Sequence, residues 1–168
     1  VQDAVTRTPG ISSIGSPGNG GTALSARGFT GHSATMQLYD GIRQYVGAGT
    51  VTFPVDTWSV ARIDVLRGPA SVLYGEGATG AVINVVPKKP FAGEIRNQLR
   101  LGYGSDDRRQ AALDSGGSLS DELSYRFNIN QQASNGWVDR GDSDSLALSA
   151  ALRWDANDDL SFTLSHDH

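Results

Sequence analysis

The sequence of 168 residues has no cysteine and no long hydrophobic run. Without thiols the chain forms no disulfide and holds no metal through thiolate ligands. No apolar stretch approaches the ~18 residues of a membrane-spanning helix. No secretory leader is present and residue 1 falls in the middle of a pattern, so we expect a mature or excised part of a longer protein. These absences exclude a disulfide scaffold and a chain that crosses a membrane by helices.

Charge is divided unevenly along the chain. Residues 1–90 carry seven Lys/Arg and five Asp/Glu, a balance of +2, whereas residues 91–168 carry seven Arg and thirteen Asp/Glu, a balance of −6. The shift predicts a domain boundary at about residue 90. Lys88 and Lys89 form too short a basic run for a nucleic-acid partner, and we expect them to be the solvated end of a strand.

Residues 1–90 are rich in glycine and irregular in pattern. Short apolar segments next to turn-forming residues predict strands at Ala23–Arg27, Thr35–Tyr39, Ile63–Leu66 and Ala81–Pro87. Helical structure is predicted at Val1–Arg7, at Pro54–Ala61 (one turn or two) and at Ala70–Tyr74. This is the pattern of a small mixed α+β unit with long loops.

One glycine pattern offers a different function. Gly75–Gly80 fits the G-x-G-x-x-G pattern of a dinucleotide site, which needs a helix after the glycines to hold the pyrophosphate. The following run, Ala81–Pro87, is short, β-branched and closed by proline, so it predicts a strand. The glycines are therefore interpreted as a tight turn that needs positive φ, and nucleotide binding is not expected.

Residues 91–168 alternate between apolar and polar side chains with a period of two. The alternation predicts strands at Ile95–Tyr103, Arg109–Ser115, Leu123–Asn130, Leu146–Trp154 and Leu160–Ser165. After the first hairpin the connectors are tight, long and tight again. Strands of this kind with short and long connectors are typical of a transmembrane β-barrel. A soluble antiparallel sheet with one wet face has the same alternation, so that alternative stays open.

Several motifs resemble the TonB-dependent outer-membrane receptors, and among them the siderophore receptors. The segments that carry the resemblance are Thr8–Ile11, Leu24–Phe29, Leu38–Arg43 and, most strongly, Arg62–Pro90. Asp64 replaces the usual Glu and Ala81 a common Gly. The resemblance implies a plug domain over residues 1–90, followed by about the first five strands, residues 91–168, of a plugged barrel of about 22 strands.

The same resemblance implies transport of a ferric siderophore through the bacterial outer membrane. Iron would arrive as part of that ligand, so no cofactor is expected. The other implied partners are outer-membrane lipid and the TonB-ExbB-ExbD complex, which would pull on a segment N-terminal to this chain. The alternatives are a receptor for another scarce ligand, such as haem, cobalamin or a glycan, and a soluble β-rich binding module without transport.

The resemblance also assigns candidate site residues. Siderophore contacts in relatives cluster in the apical loops of the plug, which correspond here to Gly31, His32, Ser33, Gln44 and Tyr45. Two arginines, Arg27 and Arg67, match family arginines that pair with carboxylates of the barrel wall, and we call this pair the latch. The plug-turn glycines are Gly68, Gly75, Gly77 and Gly80.

No enzyme is expected from these residues. The serines have no G-x-S-x-G elbow, and no paired carboxylates stand in an apolar setting. His166 and His168 share one strand face, but two ligands do not make a metal site, so none is predicted.

Overall fold

The chain divides into two compact units, Val1–Pro87 and Lys88–His168, in a computed structural model. The structure describes residues 2–15, 23–30, 35–44, 55–75, 78–136 and 141–168. Among these residues no helix is both long and apolar enough to cross a membrane. Each unit is built around its own sheet structure.

The first unit combines two short helices with six strands. In chain order these are α1 (Gln2–Val5), β1 (Ile11–Gly15), β2 (Ala23–Ala26), β3 (Thr35–Tyr39), β4 (Ile42–Arg43), β5 (Val60–Arg67), α2 (Ser71–Tyr74) and β6 (Ala81–Pro87). Strands β1 and β2 form an antiparallel pair, and the other four form a sheet in the order β4-β3-β6-β5. Only the β3–β6 pairing of that sheet is parallel.

Strand β6 organises the core of this unit because it lies between β3 and β5 with both faces covered. Ile83 packs into one apolar cluster with Val5, Leu24 and neighbours, whereas Val82 belongs to a second cluster with Met36 and Leu38. A strand buried on both faces needs a nearly continuous apolar run. The run from Ala81 to Pro87 meets that need, interrupted by Asn84 alone.

Most predicted elements of the first unit are confirmed, one prediction is wrong, and the short strands β1 and β4 were not predicted. No helix forms over residues 55–61, the described part of the range Pro54–Ala61. Instead, the amide of Trp58 donates to Oδ1 of Asp56 at 2.7 Å and fixes an Asx turn, after which β5 begins. Strand β1 was not predicted, because its two central serines interrupt the apolar pattern.

The second unit is one antiparallel sheet in which every strand pairs with its neighbours in sequence. Its strands are β7 (Arg96–Tyr103), β8 (Arg109–Ser118), β9 (Leu123–Ser134), β10 (Ser143–Asn157) and β11 (Leu160–Asp167). The five predicted strands are confirmed, and β8, β9 and β10 are longer than the alternation indicated.

The two faces of this sheet have a polarity opposite to that of a soluble sheet. On the polar face Asn128 is 1% exposed, and Asp114, Ser124, Asn130 and Ser149 are buried too. On the other face Leu101 is 73% exposed, and further large apolar side chains along β7, β10 and β11 are exposed too. A sheet in water buries its apolar face, so this arrangement suits an apolar solvent outside and a polar interior.

Candidate ligand-binding and gating site

A tight turn connects β3 to β4 and positions Gln44, one of the candidate ligand residues. The dipeptide Asp40–Gly41 occupies the turn with φ of 49° and 82°, and Tyr39 lies opposite Ile42. Positive φ at both central residues is the geometry of a type I′ turn, which the Asp-Gly signal predicts. The turn prediction is confirmed, and it sets the direction in which the chain leaves β4.

Strand β6 fixes this hairpin through two hydrogen bonds. The amide of Gly41 donates to Oδ1 of Asn84 at 3.0 Å, and the amide of Asp40 donates to the carbonyl of Val85 at 2.8 Å. An amide side chain in the middle of an apolar strand is thus used to fix a turn from a different part of the sequence. Asn84 was not among the predicted site residues, although its place inside an apolar run is the signal that could have found it.

Of the five candidate ligand residues, the structure describes Gln44. Its amide donates to the carbonyl of Gln37 at 2.9 Å, which continues the β3–β4 pairing by one residue. Its side chain is half-buried, and Nε2 donates to the carbonyl of Ile42 at 3.5 Å, a long and weak bond. The others, Gly31, His32, Ser33 and Tyr45, lie outside the described residues.

The plug-turn glycines connect β5 to β6. Pairing of the two strands ends with Arg67 opposite Ala81, and it is extended by the amide of Gly68, which donates to the carbonyl of Gly80 at 2.7 Å. Gly68 and Gly75 have φ of 101° and 77°, which favours glycine at both positions. Gly77 lies outside the described residues. Strand β6 follows Gly80 directly, as predicted, where a pyrophosphate site would need a helix.

Of the two latch arginines, Arg27 lies in a turn and Arg67 is the last residue of β5. Arg27 has a φ of 53° and its amide donates to the carbonyl of Gly10 at 2.7 Å. Its Nη1 lies 3.6 Å from the point where a Cβ on Gly68 would stand, so its guanidinium reaches the residue after Arg67. Both arginines are exposed, and neither has an ion-pair partner among the described residues. Two exposed arginines, one of which reaches the residue after the other, can bind carboxylates from another segment.

No cluster of three or more His, Asp or Glu side chains suited to a metal ion occurs in the part of the chain that the structure describes. Among the described candidates, Gln44 offers hydrogen bonds and the exposed Arg27 and Arg67 offer positive charge.

Comparison with known proteins places this architecture in a family. Residues 1–82 match the family model of the TonB-dependent receptor plug domain. The chain is 29% identical over 167 residues to the ferrioxamine receptor of Yersinia enterocolitica, an alignment covering 98% of the chain and 23% of that receptor. It is 37% identical over 108 residues to the metal-pseudopaline receptor CntO of Pseudomonas aeruginosa, covering 63% of the chain and 15% of CntO.

A solved structure has a similar fold. The pyoverdine outer membrane receptor FpvA from Pseudomonas aeruginosa PAO1, bound to pyoverdine, is similar over 99% of this chain and 24% of its own, with a TM-score of 0.82 and 27% identity. The chain spans less than a quarter of the length of each of these proteins. The chain belongs to the TonB-dependent outer-membrane receptors, and residues 1–82 match that family's plug domain.

Proposed function

We propose that the receptor containing this chain imports a ferric siderophore through the bacterial outer membrane. The observation that carries the proposal is the polarity of the second unit, whose sheet exposes Leu101 and buries Asn128. A sheet of that polarity is suited to be the wall of a polar passage through lipid. The class of ligand is supported by relatives that are named for ferrioxamine and pyoverdine.

In this proposal residues 1–90 are the plug and residues 91–168 are the first strands of the barrel. The chain binds and transports, and it catalyses no reaction. Because the outer membrane has no energy source of its own, release of the ligand requires work from the TonB-ExbB-ExbD complex, applied to the plug from the periplasmic side.

The ligand would bind at the loops around the β3–β4 hairpin. His32, Ser33 and Gln44 can donate or accept hydrogen bonds, and Tyr45 offers an aromatic face. Gly31 would let the backbone approach the ligand closely. The support for this location is the rigid attachment of the hairpin, whose turn at Gly41 is held by Asn84 at 3.0 Å.

The latch formed by Arg27 and Arg67 would keep the plug in place between transport cycles. An arginine fork binds a carboxylate with two parallel hydrogen bonds, and a desolvated pair of this kind is costly to break. The proximity of Arg27 to Gly68 supports a joint role, because one acidic segment could contact both turns.

Uptake of radioactive metal, iron for the siderophores and haem, and cobalt for cobalamin, tests the proposal directly. Iron-starved cells with and without the gene would be supplied with a panel of ferric siderophores of hydroxamate, catecholate and mixed chemistry, with haem and cobalamin as alternatives. We expect the gene to be required for at least one ferric siderophore. Dependence on the gene for haem or cobalamin, with every siderophore unaffected, would overturn the ligand assignment.

Substitutions at the hairpin test its location. Gln44→Ala together with Tyr45→Ala should weaken binding of that siderophore, whereas Gln131→Ala on the exposed apolar face of β9 should leave it unchanged. Equal affinities for the two variants would place the ligand elsewhere.

A further inference from the structure

We propose that the segment Lys88–Ile95 is clamped to the polar face of the five-stranded sheet and that this clamp stops the unfolding of a plug pulled by force. The linker clamp joins Lys88, Phe91 and Gly93 to Asp114, Arg126 and residues 116–118, all within the second unit. The inference rests on the proposed function in one respect, namely that force is applied to the plug. Its physical basis is a set of contacts that fasten the segment to β8 and β9.

The first part of the clamp is ionic. Nζ of Lys88 and Nη2 of Arg126 each lie 2.6 Å from Oδ2 of Asp114. The side chains of Lys88, Asp114 and Arg126 are 19%, 6% and 18% exposed. Removing one partner from a buried ion pair leaves the other charge uncompensated, so such a contact resists separation. Lys88 is therefore not the solvated strand end that its sequence context predicts.

The second part of the clamp is aromatic. The ring of Phe91 lies beneath two guanidinium groups, with Cζ of Arg126 at 5.5 Å and Cζ of Arg96 at 5.8 Å from its centroid. Both distances are within the range of cation–π attraction. Gly116 makes this stacking possible, because a Cβ there would lie 2.7 Å from Cδ of Arg126 and 3.1 Å from Cε1 of Phe91.

The third part is backbone contact at the end of β8. The amide of Ser118 donates to the carbonyl of Gly93 at 2.9 Å, and the amide of Gly93 donates to Oγ of Ser118 at 3.0 Å. Gly117 lets the segment lie directly on the strand, since a Cβ there would stand 2.6 Å from Cα of Ile95 and 2.9 Å from the carbonyl oxygen of Glu94. Both of those atoms are backbone, so side-chain rotation cannot relieve the overlap.

These contacts have a mechanical consequence. Force on the plug reaches the wall through the covalent step from Pro87 to Lys88. Within the next eight residues, three kinds of contact oppose that force. They hold the segment Lys88–Ile95 to strands that are themselves paired along their full length. The plug can therefore be remodelled up to Pro87 while the start of β7 stays in register.

Force spectroscopy on the full-length receptor in a lipid bilayer, pulled from the N-terminal side of the plug, measures the residue at which unfolding of the plug stops. In the unmodified receptor we expect extension to end at Lys88, with residues 88–95 released in a separate event at higher force. In Lys88→Met/Phe91→Ala, which keeps the backbone contacts of Gly93, residues 88–92 should come free together with the plug, adding roughly 16–18 Å to that event. Arg153→Met, which breaks the exposed ion pair with Asp155 in the same sheet, is the control and should match the unmodified trace.

Two results would overturn the inference: release of residues 88–95 with the plug in the unmodified receptor, or a double variant that behaves like the control. If the double variant does not assemble, Ser118→Ala removes just the Oγ acceptor of Gly93. It should lower the force of the separate event and leave its length unchanged, and an unchanged force would count against the clamp. Iron uptake is scored separately, so a receptor that carries no siderophore yet stops at Lys88 refutes the proposed function alone.

Discussion

At the scale of single residues, the Asp40–Gly41 turn is the feature on which the proposed binding loops depend. Apart from its chain neighbours, no atom of the described residues lies within 4 Å of the position that a Cβ on Gly41 would take, so these residues leave space for a side chain. The constraint is the φ of 82°, which L-residues adopt at a cost. The backbone conformation of Gly41, and not a lack of space, therefore limits which residue can replace it.

Replacing Gly41 tests that constraint. Gly41→Val should destabilise the hairpin by about 1–2 kcal/mol, because a β-branched residue is strained at positive φ, whereas Gly41→Asn should cost much less. Hydrogen exchange at the amides of Asp40 and Gln44 measures the local effect, and siderophore affinity should fall in the same order. Equal exchange rates in both variants would show that the turn does not need a positive φ.

Residue pairs that are distant in sequence could not be predicted. The Asp-Gly signal is local, and it predicted the turn correctly. Asn84 holds Gly41 across 43 positions, and Lys88 pairs with Asp114 across 26. Nothing in the neighbourhood of either residue indicates its partner, because the contact exists only once two strands are in register. The sequence therefore indicated where a turn forms but not what fixes it.

At the scale of elements, the turn between β7 and β8 is fastened by one carboxylate. Asp107 accepts from the hydroxyl of Tyr103 at 3.0 Å and from Nη2 of Arg109 at 3.1 Å. Nδ2 of Asn135, in the connector between β9 and β10, adds a longer bond at 3.4 Å. The hydrogen bond from Tyr103, and then the bond and charge of Arg109, hold the pKa of Asp107 below its ordinary value. Its ionised form is therefore the one that stabilises the turn.

A carboxyl group whose pKa is lowered in the folded state stabilises the fold at pH values above its pKa in the unfolded state. That stabilisation is lost as the pH falls through its pKa in the folded state. Asp107→Asn should therefore loosen the turn at neutral pH and match the unmodified receptor once the carboxyl group is protonated. Denaturation in micelles across the acid range measures the difference, with Asp121→Asn in the next turn as the control. A difference that persists at the acid end would mean that the charge of Asp107 is not the cause.

The faces of β11 offer a matched test of the membrane orientation. Leu164 and Ser165 are neighbours on opposite faces, opposite Leu152 and Ala151 of β10. An arginine facing lipid near the midplane costs about 2–4 kcal/mol, and one facing the polar interior costs little. Leu164→Arg should therefore lower the fraction of folded receptor in bilayers, whereas Ser165→Arg should not. The opposite order would reverse the assignment of the two faces.

The alternation of side chains predicted the strands of the second unit but not the polarity of their surroundings. A period of two fixes which residues share a face, and it is the same for a soluble sheet and a barrel wall. The burial of Asn128 and the exposure of Leu101 distinguish the two cases, and both require the folded sheet. In the first unit, β1 was missed because Ser12 and Ser13 lie within a strand of five residues.

At the scale of the whole molecule, the proposed latch would decide whether the passage stays closed at rest. Arg27→Ala with Arg67→Ala would leave partner carboxylates unpaired, at a cost on the order of 3–5 kcal/mol if those pairs are desolvated. The double variant of the full-length receptor should therefore admit large antibiotics that the outer membrane normally excludes, at unchanged surface expression. Sensitivity equal to that of the unmodified receptor, with normal iron uptake, would limit the two arginines to a role in folding.

The parallel pairing of β3 with β6 has a consequence for how the two units are made. Thr35 lies opposite Ala81, so the sheet of the first unit cannot close until nearly all of that unit has left the ribosome and crossed the inner membrane. In the second unit each strand meets the one before it, and pairing can advance hairpin by hairpin. Loops that must close over long stretches of chain form slowly. A chaperone that shields unpaired strands would therefore be needed longest for the first unit, although that unit emerges first.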